Sequence, residues 1–227
     1  MIANVEKKIY LVWQEANHSR RYVVGELVRK PEGTYIFHYL HGKDLEEAKK
    51  RGFSNYPAFP DLSREYHENV IESFSMRLPA RSRTDFSELL GYWEIKDEKI
   101  SDFDLLSITG GQLPTDCFEF VDPHMEKRPA YFLTELAGFV HCLKDDKELR
   151  SLVMGSPVEL QREPTNRQDA CAVKVIYRGK TIGYIKRGHC QTVSEELARG
   201  KSVNAMLRNI DANGVVNSVL LQVEIPA

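Results

Sequence analysis

Residues 157–187 read PVELQREPTNRQDACAVKVIYRGKTIGYIKR, and this stretch decides how the chain is organised. Val158 to Arg162 has the composition of a strand, and Pro164 to Asp169 is a Pro/Asn/Asp turn. A hairpin follows, with Ala172 to Tyr177 and Lys180 to Ile185 as its arms and Arg178-Gly179 between them. Five basic residues, Lys174, Arg178, Lys180, Lys186 and Arg187, fall in its second half, and no acidic residue lies between Lys174 and Arg187. The pattern predicts an anion-binding surface framed by apolar strands.

Working outward, residues 151–227 hold 10 Lys/Arg against 7 Asp/Glu, whereas residues 1–150 hold 21 against 26. The net charge of −2 therefore conceals a mildly basic C-terminal part, which permits a phosphate-bearing partner there. Thr134 to Leu143 is expected to be the first strand of this part, with Gly138 marking a bulge or close approach. Lys144 to Arg150 is a polar connection with room for one helical turn. Gln191 to Arg199 is expected to be a helix stopped by Gly200. Ser202 to Ile210 and Val215 to Ile225 form a closing hairpin across Asp211–Gly214, whose Asn-Gly pair is a strong turn signal. These elements predict a small antiparallel β-barrel with one helix over residues 133–227.

Upstream, residues 9–13 (IYLVW), 22–29 (YVVGELVR) and 34–39 (TYIFHY) read as a small antiparallel sheet, the last two joined through Lys30-Pro-Glu-Gly33. Leu45 to Arg51 is a helix ended by Gly52. From Phe53 aromatics alternate with prolines, and short helices are expected from Ser63, from Thr84 with Thr84 and Asp85 as caps, and from Ser101 to Thr109 with Gly110-Gly111 as the stop. Cys117 to Val121 is a further strand. The whole is an α+β chain: a sheet with short helices over residues 1–122, a link at 123–132 (PHMEKRPAYF), and the barrel.

Phe59-Pro60-Asp61-Leu62, Tyr66, Arg77 within Phe74 to Pro79, Asp85-Phe86, Gly110-Gly111 and Thr115-Asp116 together resemble the small N-terminal subdomain of HipA-type proteins. That subdomain accompanies a serine/threonine kinase body, yet no phosphate-cradling glycine loop, His-Arg-Asp or Asp-Phe-Gly signature follows here. The resemblance implies a protein-docking unit, with Phe59 and Phe74 as its contacts. Its partner would be a separate HipA-type kinase or another protein, in the manner of a toxin's regulator.

Arg162-Glu163-Pro164-x-Asn166-x-x-Asp169-x-x-Ala172-Val173-x-Val175, then Gly179-x-x-Ile182-Gly183-Tyr184-Ile185-x-Arg187, resembles the HIRAN domain over residues 134–225. The resemblance implies a barrel that binds single-stranded DNA or DNA ends, with RNA as an alternative. Gln168 and Asp169 fall where the family meets the terminal nucleotide, Tyr184, Lys186 and Arg187 line the far wall, and His141 lies on the facing strand. Members that bind DNA ends carry aromatic residues where this chain has His141 and Gln168, so stacking surface is reduced at both. Lys174, Lys180, Lys186 and Arg187 are the expected phosphate contacts, and Tyr184 with His141 the flat surfaces. Asp169 would accept a hydrogen bond from a free sugar hydroxyl. Asn166 and Asp169 can equally close their own turn, and Tyr184, two residues from Ile182, can equally belong to the core.

Cys117, Cys142, Cys171 and Cys190 have no paired spacing, which suits free thiols in a reducing compartment. His141-Cys142, Cys171 and His189-Cys190 supply zinc-ligand types but no Cys-x-x-Cys, so neither a metal nor another cofactor is expected. No catalytic constellation is evident, and an unrecognised hydrolase site is the one enzymatic alternative. The N-terminus lacks signal-peptide features and no apolar run approaches the ~20 residues of a membrane span, so the expectation is a cytoplasmic protein.

Overall fold

A computed structural model describes residues 6–15, 20–113, 115–123, 129–143, 148–149, 151–212 and 216–227. Three early strands, β1 (Lys7–Gln14), β2 (Arg21–Arg29) and β3 (Tyr35–Tyr39), are joined by the distant β4 (Phe118–Val121) in an antiparallel sheet of order β3-β2-β1-β4. This sheet belongs to the first of two units, residues 1–122 and 123–227. Strand alternation puts Ile9, Leu11 and Trp13 of β1 on the same side as Phe118 and Phe120 of β4. Against that face, to which Phe37 of β3 belongs, pack Phe53, Tyr56, Phe59 and Tyr66 of the Pro-rich loop, with Phe74. The hydroxyl of Tyr39, inside this cluster, donates to the Phe59 carbonyl and accepts from the Tyr56 N–H, both at 2.7 Å.

That packing corrects the expectation for Phe59 and Phe74. They are 2% and 0% exposed, so neither presents a surface to a partner. The aromatics are spent on the sheet's own apolar face, which they cover together with Leu45 and Ala48 of the helix at Lys43–Lys50 and Phe103 and Leu106 of the helix at Asp102–Thr109.

Among the described residues the helices of this unit are α1 (Lys43–Lys50), α2 (Val70–Ser75), α3 (Phe86–Tyr92) and α4 (Asp102–Thr109). The helix expected from Ser63 starts instead at Val70, because Asp61 Oδ1 accepts from the N–H of Ser63 at 2.9 Å and holds a turn there. At α3 no side-chain cap forms, since the Asp85 carboxylate is taken by Arg83 at 2.8 and 2.7 Å. At α4 the expected cap is present: Ser101 Oγ accepts from the Asp104 N–H at 3.1 Å, and Gly110 closes the helix at φ 77°.

In the second unit, β5 (Ala130–Ala137), β6 (Pro157–Arg162), β7 (Val173–Tyr177), β8 (Lys180–Ile185), β9 (Asn204–Ala212) and β10 (Val216–Ile225) close a barrel of order β10-β5-β8-β7-β6-β9. Every neighbouring pair is antiparallel. Phe132, Val173, Val175, Ile182, Ile185, Leu207, Val219 and Val223 fill its interior. A one-turn helix α5 (Phe139–Cys142) and the longer α6 (Cys190–Ala198) complete the unit. The expected first strand therefore ends at Ala137. Gly138 turns left-handed at φ 68°, and His141 stands on a helical turn rather than on a strand. β5 begins inside the expected link, of which residues 124–128 lie outside the described residues. Residues 144–147 and 150 of the expected polar connection, and Asn213-Gly214 of the closing turn, also lie outside them. No described helix is long and apolar enough to cross a membrane.

The hairpin of β7 and β8 has the expected arms, except that the first begins at Val173 rather than Ala172. Arg178 at φ 50° and Gly179 at φ 78° give the two left-handed positions of a tight two-residue turn. Within it the register shifts between Val175 and Ile176: Val175 faces Gly183 and Ile176 faces Thr181, which leaves Ile182 as the extra residue of a bulge. The bulge breaks strict alternation, so Ile182 and Ile185 both enter the core while Tyr184 is left half-buried. The same-face expectation for Ile182 and Tyr184 fails for this reason. At Gly183, an added Cβ would lie 2.7 Å from Leu136 Cγ and 2.8 Å from the Ala137 carbonyl oxygen, so the β5–β8 seam needs glycine there.

Candidate nucleic-acid interface

The segment between β6 and β7, residues 163–172, is shaped by its own short polar side chains. Asn166 Oδ1 accepts from the N–H groups of Gln168 (2.9 Å) and Asp169 (3.2 Å), and Asp169 Oδ1 accepts from Cys171 N–H at 2.9 Å. Asn166 and Asp169 thus do close their own turn. The Glu163 N–H donates to the Ala172 carbonyl at 2.8 Å and sets the base of the loop.

Glu163 is the hub. Its Oε1 lies 2.7 Å from Lys174 Nζ, and its Oε2 accepts from Asn166 Nδ2 at 2.7 Å and from the Tyr184 hydroxyl at 3.2 Å. Lys174 and Tyr184 are direct cross-strand partners in β7 and β8, and that register brings both to one carboxylate. Hydrogen bonds from Lys174 and then Asn166 hold the Glu163 carboxyl below its usual range. Burial first, then the Glu163 charge, pushes the Tyr184 phenol up, so it remains a donor at neutral pH.

Asp169 and Arg187 meet beside this hub. Arg187 Nη1 lies 3.7 Å from Asp169 Oδ2, and the Cys190 thiol donates to the same oxygen at 3.5 Å. Burial, then the Asp169 charge, pushes the Cys190 thiol up to about 12, which keeps the proton on sulfur. Both charged side chains are only partly covered, at 23% and 20% exposure, so a ligand can reach them. Gln168 and His141 are exposed, His141 on α5, which packs against β8. α6 is tied to the barrel by Arg162 Nε, which donates to Ser194 Oγ at 3.0 Å.

Two sequence candidates stand apart from this cluster. Lys186, next to Arg187 in sequence, is 6% exposed with its Nζ 2.8 Å from Glu135 Oε2 on β5. Lys180 sits at the opposite end of β8, paired at 2.6 Å with Glu148. All three lysines of the basic stretch are therefore engaged by carboxylates from outside Lys174–Arg187. Sequence reasoning missed Glu163, Glu135 and Glu148 as partners. Only Glu163 left a signal, being one residue beyond Arg162, which pairs with Val173 in the β6–β7 ladder. Among the described residues no group of three or more His, Cys, Asp or Glu could hold a metal ion.

Among curated proteins no match to the chain is found. Two solved structures are similar to 42% of it. One is the HIRAN domain of human HLTF, 18% identical, with 74% of that chain covered and a TM-score of 0.35. The other is a protein from Lactobacillus plantarum, 24% identical, with 97% of that chain covered and a TM-score of 0.34. Residues 131–225, within the barrel unit, match the family model of the HIRAN domain.

Proposed function

We propose that the barrel unit binds single-stranded DNA, ends foremost, across the rim where the 163–172 loop meets the end of β8. The observation that carries this reading is the shared carboxylate: Lys174 and Tyr184 converge on Glu163, with the Asp169–Arg187 pair beside them. Cations that track a backbone and a ring on which a base stacks are what sequence-tolerant single-strand binding requires. The HIRAN domain is a nucleic-acid-binding domain, and the match over residues 131–225 supports the assignment.

Binding proceeds by exchange. A phosphate replaces Glu163 on Lys174, the freed carboxylate keeps its bonds from Asn166 and Tyr184, and a base lies on the half-buried Tyr184 ring. Arg187 meets a second phosphate. Asp169, partly exposed, accepts from a free 3′-hydroxyl. Lys186 takes no phosphate in this scheme; paired with Glu135, it fixes the end of β8 against β5. A protein partner of the N-terminal unit would use its surface, where Met76 stands 84% exposed, and not Phe59 or Phe74.

Fluorescence anisotropy of the full chain with single-stranded, duplex and 3′-blocked DNA tests the scheme. Micromolar or tighter binding to the single strand, weakened by the 3′ block, is expected. Absence of binding to all three would overturn it.

A further inference from the structure

Arg162, the last residue of β6, is a cation at the start of the 163–172 loop that the scheme above leaves unused. Its Nε donates to Ser194 Oγ on α6 at 3.0 Å, and Ser194 is buried at 3% exposure. The outer end of the guanidinium is different. Arg162 is an exposed residue, and its Nη1 and Nη2 groups have no hydrogen bond or ion pair among the described residues. Lys174, Lys180 and Lys186 are each held by a carboxylate at 2.6–2.8 Å. At Arg162 no carboxylate has to leave before an anion arrives.

The helix fixes where that open end lies. Cys190 and Ser194 are four residues apart on α6, so they share one face and are ~6 Å apart along the axis at ~1.5 Å per residue. Cys190 donates to Asp169 Oδ2, the oxygen that Arg187 Nη1 approaches at 3.7 Å, while Ser194 holds Arg162. Arg162 and the Asp169–Arg187 pair therefore stand one helical turn apart over the same face. Burial first, then Asp169 and Glu195, push the Cys171 thiol up, and Arg187 and Arg162 oppose them, so both guanidinium groups lie within electrostatic reach of that one sulfur. Glu195 is itself engaged on α6, by Gln191 Nε2 at 3.1 Å and Arg199 at 3.8 Å. A planar fork held at Nε and open at both Nη groups is preset for two parallel bonds to a phosphate. We infer that Arg162 is a further phosphate contact of the bound strand, taking the phosphodiester next to the one on Arg187 while its Nε stays on Ser194. The inference rests on the proposed single-strand binding and carries the strand from the Lys174 side of the loop to its α6 side.

The test follows a labelled single strand by anisotropy across salt concentrations, with the full chain as wild type, Arg162→Gln, Ser194→Ala and Lys174→Gln. Arg162→Gln is expected to weaken binding about tenfold at low salt, the worth of one charge-assisted contact. It should also flatten the slope of log K against log salt by about 0.7. Ser194→Ala removes the same hydrogen bond to α6 but keeps the cation, so its slope should equal that of wild type. Thermal unfolding of the two variants should coincide, because both lose that one tie. If Arg162→Gln keeps the wild-type slope, or Ser194→Ala flattens it equally, while Lys174→Gln weakens binding, Arg162 is an anchor for α6 alone and the proposed rim stands. If wild type binds no single strand, the proposed function fails and this contact with it.

Discussion

Arg77 in the first unit and Lys174 in the second are both cations held by a carboxylate, and their surroundings make them opposites. Arg77 is 4% exposed. Its Nη1 and Nη2 grip Asp116 at 2.6 and 2.8 Å, its Nε donates to the Gly111 carbonyl at 2.8 Å, and Nη2 also donates to the Phe118 carbonyl at 2.7 Å. The guanidinium plane lies over Tyr56 and Phe118 as well. Burial alone would raise the Asp116 carboxyl, but the hydrogen bonds and charge of Arg77 outweigh it and hold it below its usual range. Lys174 has a single short contact and keeps 28% of its side chain in solvent. One pair is a rivet between the α2 region, the Gly110-Gly111 turn and β4; the other is a contact that water, salt or a phosphate can replace.

The largest test of this contrast is Arg77→Ala. It strands the Asp116 carboxylate and two carbonyls, so a loss of about 3–5 kcal/mol is expected, as for other broken buried pairs. Chemical denaturation followed by aromatic fluorescence would read it, and a loss below about 1 kcal/mol, typical of a surface pair, would place Arg77 in the same class as Lys174. A smaller effect is expected at Gly183→Ala, where the added methyl must push apart Leu136 and the Ala137 carbonyl. Overpacking of this kind costs about 1–3 kcal/mol. Because the β5–β8 seam carries Tyr184 and leads to Arg187, single-strand affinity should fall alongside barrel stability. Unchanged affinity in the folded variant would separate the seam from the rim.

The sequence made the local features legible. The Arg178-Gly179 hairpin, the Ser101 cap and Gly110 stop of α4, and the basic content of Lys174–Arg187 all depend on residues adjacent in the chain, where propensity and turn chemistry operate. What escaped depends on closure. Glu135 reaches Lys186 only because β5 lies beside β8, and Glu148 reaches Lys180 from a segment whose path composition does not dictate. The β7–β8 bulge reverses the facing of Tyr184 relative to Ile182, and a period-two pattern carries no mark of one extra residue. Phe59 and Phe74 belonged to a resemblance that suggested docking; their burial follows from the exposed face of the first sheet, which the aromatic loop must cover. The candidate site was thus legible as a set of cations and a ring, and illegible as a set of pre-formed ion pairs.

The exchange of carboxylate for phosphate is the central claim, and the salt dependence of single-strand binding tests it most directly. Each phosphate contact with a single strand contributes a slope of about −0.7 to log K against log salt. Lys174 and Arg187 together predict at least about −1.4 for wild type, and Lys174→Gln should flatten the slope by about 0.7. A slope near zero, or one that Lys174→Gln leaves unchanged, would contradict the account.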